Sequence, residues 1–490
     1  MKPTGFHCRA ATLLLVLVLP GCAVGPDYHR PAAPKVALTA KPLPSATVAA
    51  GGVAQHFKPG ADIPGDWWTL YHSKALDGLV KAALAHNPSL AAAQATLTQA
   101  EETVRADEGV LLPSLSGDLS TQRQKASAAT AGKVGAYTLY NASFAVSYTF
   151  DLFGGARRAV ESVAAQAHYQ REQLEAAYLT LTTNIVTAAI HEASLKAQIT
   201  ATRQLIADEQ QLLDILQAQV QAGGAAPAQL LQQQAQLAQQ EATLPPLQSQ
   251  EAQARNQLAA YAGAFPGDFH MADFALDDLH LPENVPVSLP SAIVAQRPDI
   301  RAAAAQLHEA SANVGVADAQ MLPRITLSAG IGHEALTTGS LFTPQTLIWN
   351  LAAGLTQPLF EGGTLNAKRK AALAALRGAA ANYQGTVINA FQNVADVLAA
   401  LQYDAAELKA ADKARSAAAQ SLKVTEAQYK LGAQPFSAVL TAETTYQSAV
   451  LTDVKAQATR LADTAALYQA LGGGWWHRHD VAVSCCGIVP

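Results

Sequence analysis

The chain has 490 residues, of which 50% are hydrophobic and 14% charged, with a formal net charge of −5. That length exceeds one ordinary domain, and the charge balance leaves no footprint for a nucleic-acid partner. No apolar run approaches the roughly 20 residues of a membrane-spanning helix, so any bilayer crossing has to use strands.

The first segment is an export signal. Lys2 and Arg9 precede an apolar run from Ala10 to Leu19, the layout of a basic n-region and a short h-region. The run ends in Leu19-Pro20-Gly21-Cys22. A Leu three residues ahead of a Cys resembles the lipobox of bacterial lipoproteins, with residues 1–21 removed and lipid carried on Cys22; a plain secretory signal with a chance cysteine is the other reading. Acyl chains at about 0.8 kcal/mol per buried methylene make a lasting anchor. Ala23, rather than Asp, follows the cysteine, which implies sorting to the outer membrane. Cys485 and Cys486 are adjacent, a poor geometry for a mutual disulfide, and no Cys-x-x-Cys occurs, so neither a metal nor another cofactor is expected.

Residues 22–65 are rich in proline and read as an extended linker. Trp67-Trp68 opens the ordered part, followed by Leu76, Leu79, Val80, Ala83 and Leu84 at helical spacing. From Asn87 the chain begins a segment that it repeats from Arg297. Pro88 matches Pro298, Leu97 matches Leu307, Val104 matches Val314, and Leu112-Pro113 matches Leu322-Pro323. A repeat at a spacing of about 210 residues predicts two equivalent halves rather than a solenoid. The halves are 66–262 and 291–474, joined by a connection over 263–290 and followed by a tail over 475–490.

After Pro113 and Pro323 the apolar period changes from 3.6 to 2. Tyr140, Ala142, Phe144, Val146, Tyr148 and Phe150 oppose Asn141, Ser143, Ser147, Thr149 and Asp151. Ile325, Leu327, Ala329 and Ile331 oppose Arg324, Thr326, Ser328 and Gly330, and Leu347, Trp349, Leu351 and Leu355 oppose Asn350, Gly354 and Thr356. Near Ser114 the alternation is weaker. Each half thus supplies two strands of roughly 10–15 residues, apolar on one face. A soluble sheet with one buried face shares that pattern; so does a transmembrane barrel with lipid outside and water inside. In the second case one chain's strands are too few to close, because small barrels use about eight, and copies must share one barrel.

Very long helices follow. No Pro or Gly occurs from Ala156 to Ala222, and a second helix runs from about Pro227 to Ala262. The later half repeats this over Thr364 to Leu431 and on to Leu471. Ile206, Leu213 and Val220, then Leu230, Leu237 and Leu244, recur every seven residues and predict a coiled-coil-like seam. Pro245-Pro246 is expected to kink its helix. Gly154-Gly155 and Gly362-Gly363 mark the passages from strand to helix, and Gly223 and Gly432 the hairpin turns.

The order helix, strand, strand, long helix, long helix, stated twice, resembles the outer-membrane factor family, the TolC-type channel-tunnels. Cys22-Ala23-Val24-Gly25-Pro26-Asp27-Tyr28, Arg297-Pro298-Asp299-Ile300-Arg301, Pro358-Leu359-Phe360-Glu361-Gly362-Gly363 and Leu471-Gly472-Gly473-Gly474-Trp475 resemble its lipoprotein branch, the OprM/NodT-type efflux channels. The resemblance implies an α+β membrane protein: a homotrimer whose four strands per chain close a 12-stranded transmembrane β-barrel, continued by an α-helical periplasmic tunnel. It implies a periplasmic adaptor (membrane fusion protein) and an inner-membrane RND transporter as partners, outer-membrane lipid around the barrel, and passive conduction of drugs or other small molecules. Family members place acidic residues at the periplasmic constriction; here Ala438 and Thr441, with Gln229 and Gln232 in the first half, occupy those positions, and Glu443 is the nearest acid. A neutral entrance is the expectation.

Enzymatic readings have little to stand on. His191-Glu192, His308-Glu309 and His333-Glu334 do not extend to His-Glu-x-x-His. A tunnel for type I protein secretion shares the fold, and a periplasmic coiled-coil adaptor shares the lipobox and hairpins but not the duplicated amphipathic strands.

Overall fold

The computed structural model describes residues 23–39, 42–125, 127, 135–270, 272 and 274–478. Cys22, Cys485 and Cys486 lie outside these. The chain divides into two compact units, one of 1–31, 97–170 and 303–383, the other of 32–96, 171–302 and 384–490.

The duplication is visible element by element. α1 (Lys74–His86) and α2 (Pro88–Glu108) lead to β2 (Ser114–Gln124) and β3 (Tyr137–Phe150), then to α3 (Gly155–Gln221) and α4 (Pro227–Tyr261). The second half gives α5 (Pro290–Gln296), α6 (Pro298–Ala319), β5 (Arg324–Ala335), β6 (Leu347–Thr356), α7 (Thr364–Lys430) and α8 (Phe436–Ala470). α3 and α7 have 67 residues each, and α4 and α8 have 35 each. Both long helices end the same way. Gly223 and Gly432 take φ of +75° and +73°, where only glycine is unstrained. The next amides, Gly224 and Ala433, donate back to the Gln219 and Gln428 carbonyls at 2.8 Å, which satisfies helix-end acceptors.

In the first unit β2, β3, β5 and β6 form one antiparallel sheet in that order. Its register aligns the alternation across all four strands. Leu119 pairs with Ala142; Phe144 pairs with Ile331, which pairs with Trp349; Val146 pairs with Ala329, which pairs with Leu351. These side chains share a face. Ser116, Asp118, Ser120, Asn141, Ser143, Ser147, Thr149, Thr326, Ser328 and Asn350 share the other. Gly332 is required by packing, since a Cβ there would stand 2.5 Å from the Ser143 Cβ and 2.6 Å from the Ala142 carbonyl. Asp151 caps α3: its carboxylate accepts the Ala156 and Arg157 amides at 3.0 and 2.9 Å, as an acidic N-terminal cap does.

In the second unit β1 (His56–Pro59) and β4 (Asn284–Val287) pair in parallel. Trp67, Tyr71, Leu76, Val80, Ile185, Leu258, Ile293, Leu461 and Tyr468 are buried there, and the Trp67 and Tyr468 rings stack at 5.2 Å. The segment read as an extended linker is pinned at several points. Beyond β1, Gln55 donates to Thr464 Oγ1 and the buried Arg460 holds the Ala50 and Val53 carbonyls. Packing also continues past Gly474: the Trp475 indole donates to the Gln296 carbonyl at 2.6 Å, and Arg478 binds Glu175 and lies over Tyr178.

The heptad expectation needs correction. Along α3 the buried line is Thr202, Leu205, Glu209 and Leu216, whereas Ile206, Leu213 and Val220 are half-buried. The face packed within the chain is turned by about half a residue step, some 50°, from the heptad seam. On α4 Leu237 is buried, but Leu230 and Leu244 are half-buried, and Gln233 and Gln240 take the inner positions. α4 also continues through Pro245 and Pro246. Both prolines are exposed, so the backbone groups they leave unpaired face water, where the cost is least.

Candidate channel-forming sheet and hairpin ends

The four-stranded sheet has two features of a membrane surface. Its apolar face is bare: Leu119 is 81% exposed and Leu351 76%, and Phe144, Ile331, Trp349 and Leu355 are exposed too. Its outer strands, β2 and β6, have no further strand beside them among the described residues. In water an apolar edge strand of this length pairs with whatever edge it meets; in hydrocarbon, unpaired backbone groups are excluded outright. Both conditions are met if β2 of one copy pairs with β6 of another.

Above the turn at Gly154 the first residues after Cys22 are seated on helices of the same unit. Val24 donates to the Phe153 carbonyl at 3.0 Å, and the buried Arg158 donates to the Val24 carbonyl and pairs with Asp27 and Glu161 at 2.5 and 2.7 Å. Tyr28 stacks on His308 at 4.3 Å, and His308 Nε2 meets Glu161 at 2.7 Å. Gly25 lies against Gly315, where a Cβ would come within 2.4 Å of backbone. Arg158 holds the carboxyl of Asp27 below the usual range. His308, flagged in sequence as part of a His-Glu pair, works here with Glu161 rather than Glu309, and His333 Nδ1 meets Thr346 Oγ1 at 3.0 Å.

The four positions expected at the entrance sit at the starts of the short hairpin arms in the second unit. Gln229 is half-buried on the first turn of α4, its amide oxygen accepting the Ala226 N–H at 3.3 Å; Gln232 is exposed one turn on. Ala438 is half-buried on α8, and Thr441 is exposed, its hydroxyl donating to the Ser437 carbonyl at 2.9 Å. Thr441, Thr444, Thr445, Ser448 and Thr452 line one groove on α8 against Ala411 and Ala414 of α7. No charge is presented along it.

Glu443 does not present its carboxylate to that groove. It is 6% exposed and lies among Glu209, Gln233 and Gln447, which are equally buried. The Gln447 amide donates to Glu209 Oε1, and Gln233 Nε2 donates to the Glu209 carbonyl at 3.2 Å. Burial pushes the Glu443 carboxyl up to about 8, with Glu209, Glu426 and Asp208 adding to it. Burial raises Glu209 as well, against the pull of Gln447 and Gln236. Sequence reading missed this cluster: Glu209 and Gln447 are 238 residues apart. Neither Glu stands out locally, since Glu209 follows Asp208 and Glu443 lies between Thr441 and Thr444.

Comparison with known proteins gives one answer. The family model for outer membrane efflux proteins matches residues 79–264 and 289–473, one match per half. The pyoverdine export outer membrane protein OpmQ of Pseudomonas aeruginosa is 30% identical over 421 residues, covering 84% of this chain and 87% of that one. The outer membrane protein OprJ of the same species is 28% identical and covers 97% of both. Among solved structures, the outer-membrane channel OprN superposes with a TM-score of 0.85 over 93% of this chain at 24% identity. VceC of Vibrio cholerae gives 0.78 over 84% at 27% identity.

Proposed function

This chain belongs to the outer membrane efflux protein family and is an outer-membrane efflux channel, and we propose that three copies close a 12-stranded barrel through which small molecules leave. The observation that carries the trimer is the sheet with an apolar face and both edges unpaired among the described residues. Three such sheets give twelve strands and leave no edge in the bilayer. The long hairpins α3–α4 and α7–α8 continue the barrel as a periplasmic tunnel. A periplasmic adaptor and an inner-membrane RND transporter deliver the cargo and supply the energy; the channel conducts passively. Cys22 anchors the mature chain in the outer membrane, and the seating of Val24 to Tyr28 supports that reading by fixing the chain just after the anchor. The Gly turns at 154–155, 362–363, 223 and 432 serve as structural joints.

The direct test is deletion followed by a drug, siderophore and metal susceptibility panel, with affinity purification of whatever adaptor binds. Unchanged susceptibility to every class would overturn the efflux role of this chain. Cys22→Ser should abolish incorporation of radiolabelled palmitate; persistent labelling would overturn the anchor.

The entrance at Ala438, Thr441, Gln229 and Gln232 carries no fixed charge. A carboxylate ring at such a constriction draws cations and binds divalent ones. The trimer should therefore conduct with weak cation selectivity and little divalent block in planar bilayers. Thr441→Asp, which puts three carboxylates into the assembled ring, should raise cation selectivity several-fold and introduce block by millimolar Mg²⁺. A wild-type channel already blocked at that concentration would remove the neutral-entrance reading.

A further inference from the structure

Three long helices bring a polar cluster into the interior of the second unit. Glu209 comes from α3, Gln233 from α4, and Glu443 and Gln447 from α8. The cluster lies 14 residues before Gly223 along α3, about 21 Å of helix from the hairpin turn. Three of its buried acceptors have no donor: Glu209 Oε2, Glu443 Oε2 and Gln233 Oε1. Buried acceptors left without a donor are costly, and more so when charged. Among the described residues the donors that act on the pair both serve Glu209: the Gln447 amide, on Oε1, and the Gln236 side chain. The charges acting on the pair are acidic on every helix: Asp208 on α3, Glu241 on α4 and Glu426 on α7. The missing donor is supplied most simply by a proton on Glu443, whose hydroxyl would then donate within the cluster. Glu209 would remain the one buried negative charge, held by Gln447.

We propose that Glu209 and Glu443 form a proton-held latch between the ends of the two hairpins, closed when Glu443 carries its proton and loosened when the proton leaves. Glu209 belongs to the first hairpin and Glu443 to the second. Ionising both places two buried carboxylates in apposition, and the repulsion is relieved by the hairpins parting enough to admit water. The sign follows from linkage. Glu443 binds its proton more tightly folded than unfolded, so the closed packing is favoured below the ordinary Glu range and weakens as pH rises through about 8. This deepens the channel reading by assigning the channel a regulator, and it rests on that reading only for its effect on conduction.

The test is hydrogen exchange on the purified full-length protein, at matched pH, of amides in 205–216 and 436–450, for wild type and Glu443→Gln. Gln keeps the size and the neutral state. The two proteins should exchange alike at acidic pH. Between the ordinary Glu range and about pH 8 the wild type should open progressively faster than the variant, by up to about tenfold per pH unit, and the difference should level off above pH 8. Glu209→Gln removes the neighbouring charge and should move the transition to lower pH. Bilayer conductance of the same proteins should rise with alkalinity in wild type and stay flat in Glu443→Gln. Wild type and Glu443→Gln with the same exchange profile at every pH would overturn the latch, as would an upward shift in Glu209→Gln. A protein that conducts nothing would sink the channel reading, and exchange would still decide the latch.

Discussion

Leu119→Arg is expected to prevent stable barrel assembly, while Ser120→Arg, one residue away, is expected to assemble and shift the channel toward anions. Both lie near the middle of β2. Leu119 is on the face shared with Phe144, Val146, Ile331 and Leu351. On the lipid side at the bilayer midplane an arginine costs about 2–4 kcal/mol. A trimer carries the change three times, so the total approaches the whole stability of an ordinary domain. Ser120 is on the opposite face, its hydroxyl donating to Asp118 Oδ1 at 2.8 Å and its backbone paired with Asn141. An arginine there meets water and an acid. The check is the trimer band on unheated gels across a temperature series, followed by ion selectivity of whatever assembles. If Leu119→Arg melts with Ser120→Arg, the face assignment, and with it the transmembrane reading of this sheet, is wrong.

The contrast between these neighbours was readable before any coordinates, because a strand's period of two assigns faces without knowing its partners. Long helices were readable for a similar reason: the absence of Pro and Gly from Ala156 to Ala222 leaves nothing to stop one. Their inner faces were not. A heptad pattern reports which residues can pack, and in α3 those at 206, 213 and 220 are only half-covered within the chain, while Glu209 goes inside. Placing Glu209 against Gln447 requires the mutual rotation and axial register of two hairpins, and neither is encoded in a local window. The same holds for segment 22–65, where low periodicity suggested a loose linker. What orders it is a set of partners far along the chain, Val285, Arg460 and Thr464, that composition does not announce. At the proposed entrance, residue type is the whole of the argument. Ala438 and Thr441 lack charge wherever they point.

Arg460→Leu is expected to free the segment around Thr47 to Gln55 from the second unit. Arg460 is 2% exposed. Its guanidinium donates to the Ala50 carbonyl at 2.8 Å, the Val53 carbonyl at 3.1 Å and Thr47 Oγ1 at 3.4 Å. The Arg460 carbonyl accepts from Thr464, which in turn accepts from Gln55. One side chain therefore ties to α8 a segment whose own backbone bonds, such as those between Thr47 and Gln55 and between Ala50 and Val53, are local. Leucine fills part of the volume but supplies no donor, and it removes the cation opposing Asp404, whose carboxyl burial and Asp463 already raise. Breaking a buried charge from its partners costs about 3–5 kcal/mol. At about 1.4 kcal/mol per factor of ten, amides of Thr47, Ala50, Val53 and Phe57 should exchange with solvent at least roughly a hundredfold faster. Arg460→Lys retains the charge but lacks the planar fork, and it should fall between the two. Because the anchor proposed at Cys22 reaches the second unit along this segment, its release should lower the temperature at which the trimer dissociates without altering ion selectivity. Unchanged protection of those four amides in Arg460→Leu would show that β1 and its pairing with β4 hold the segment unaided.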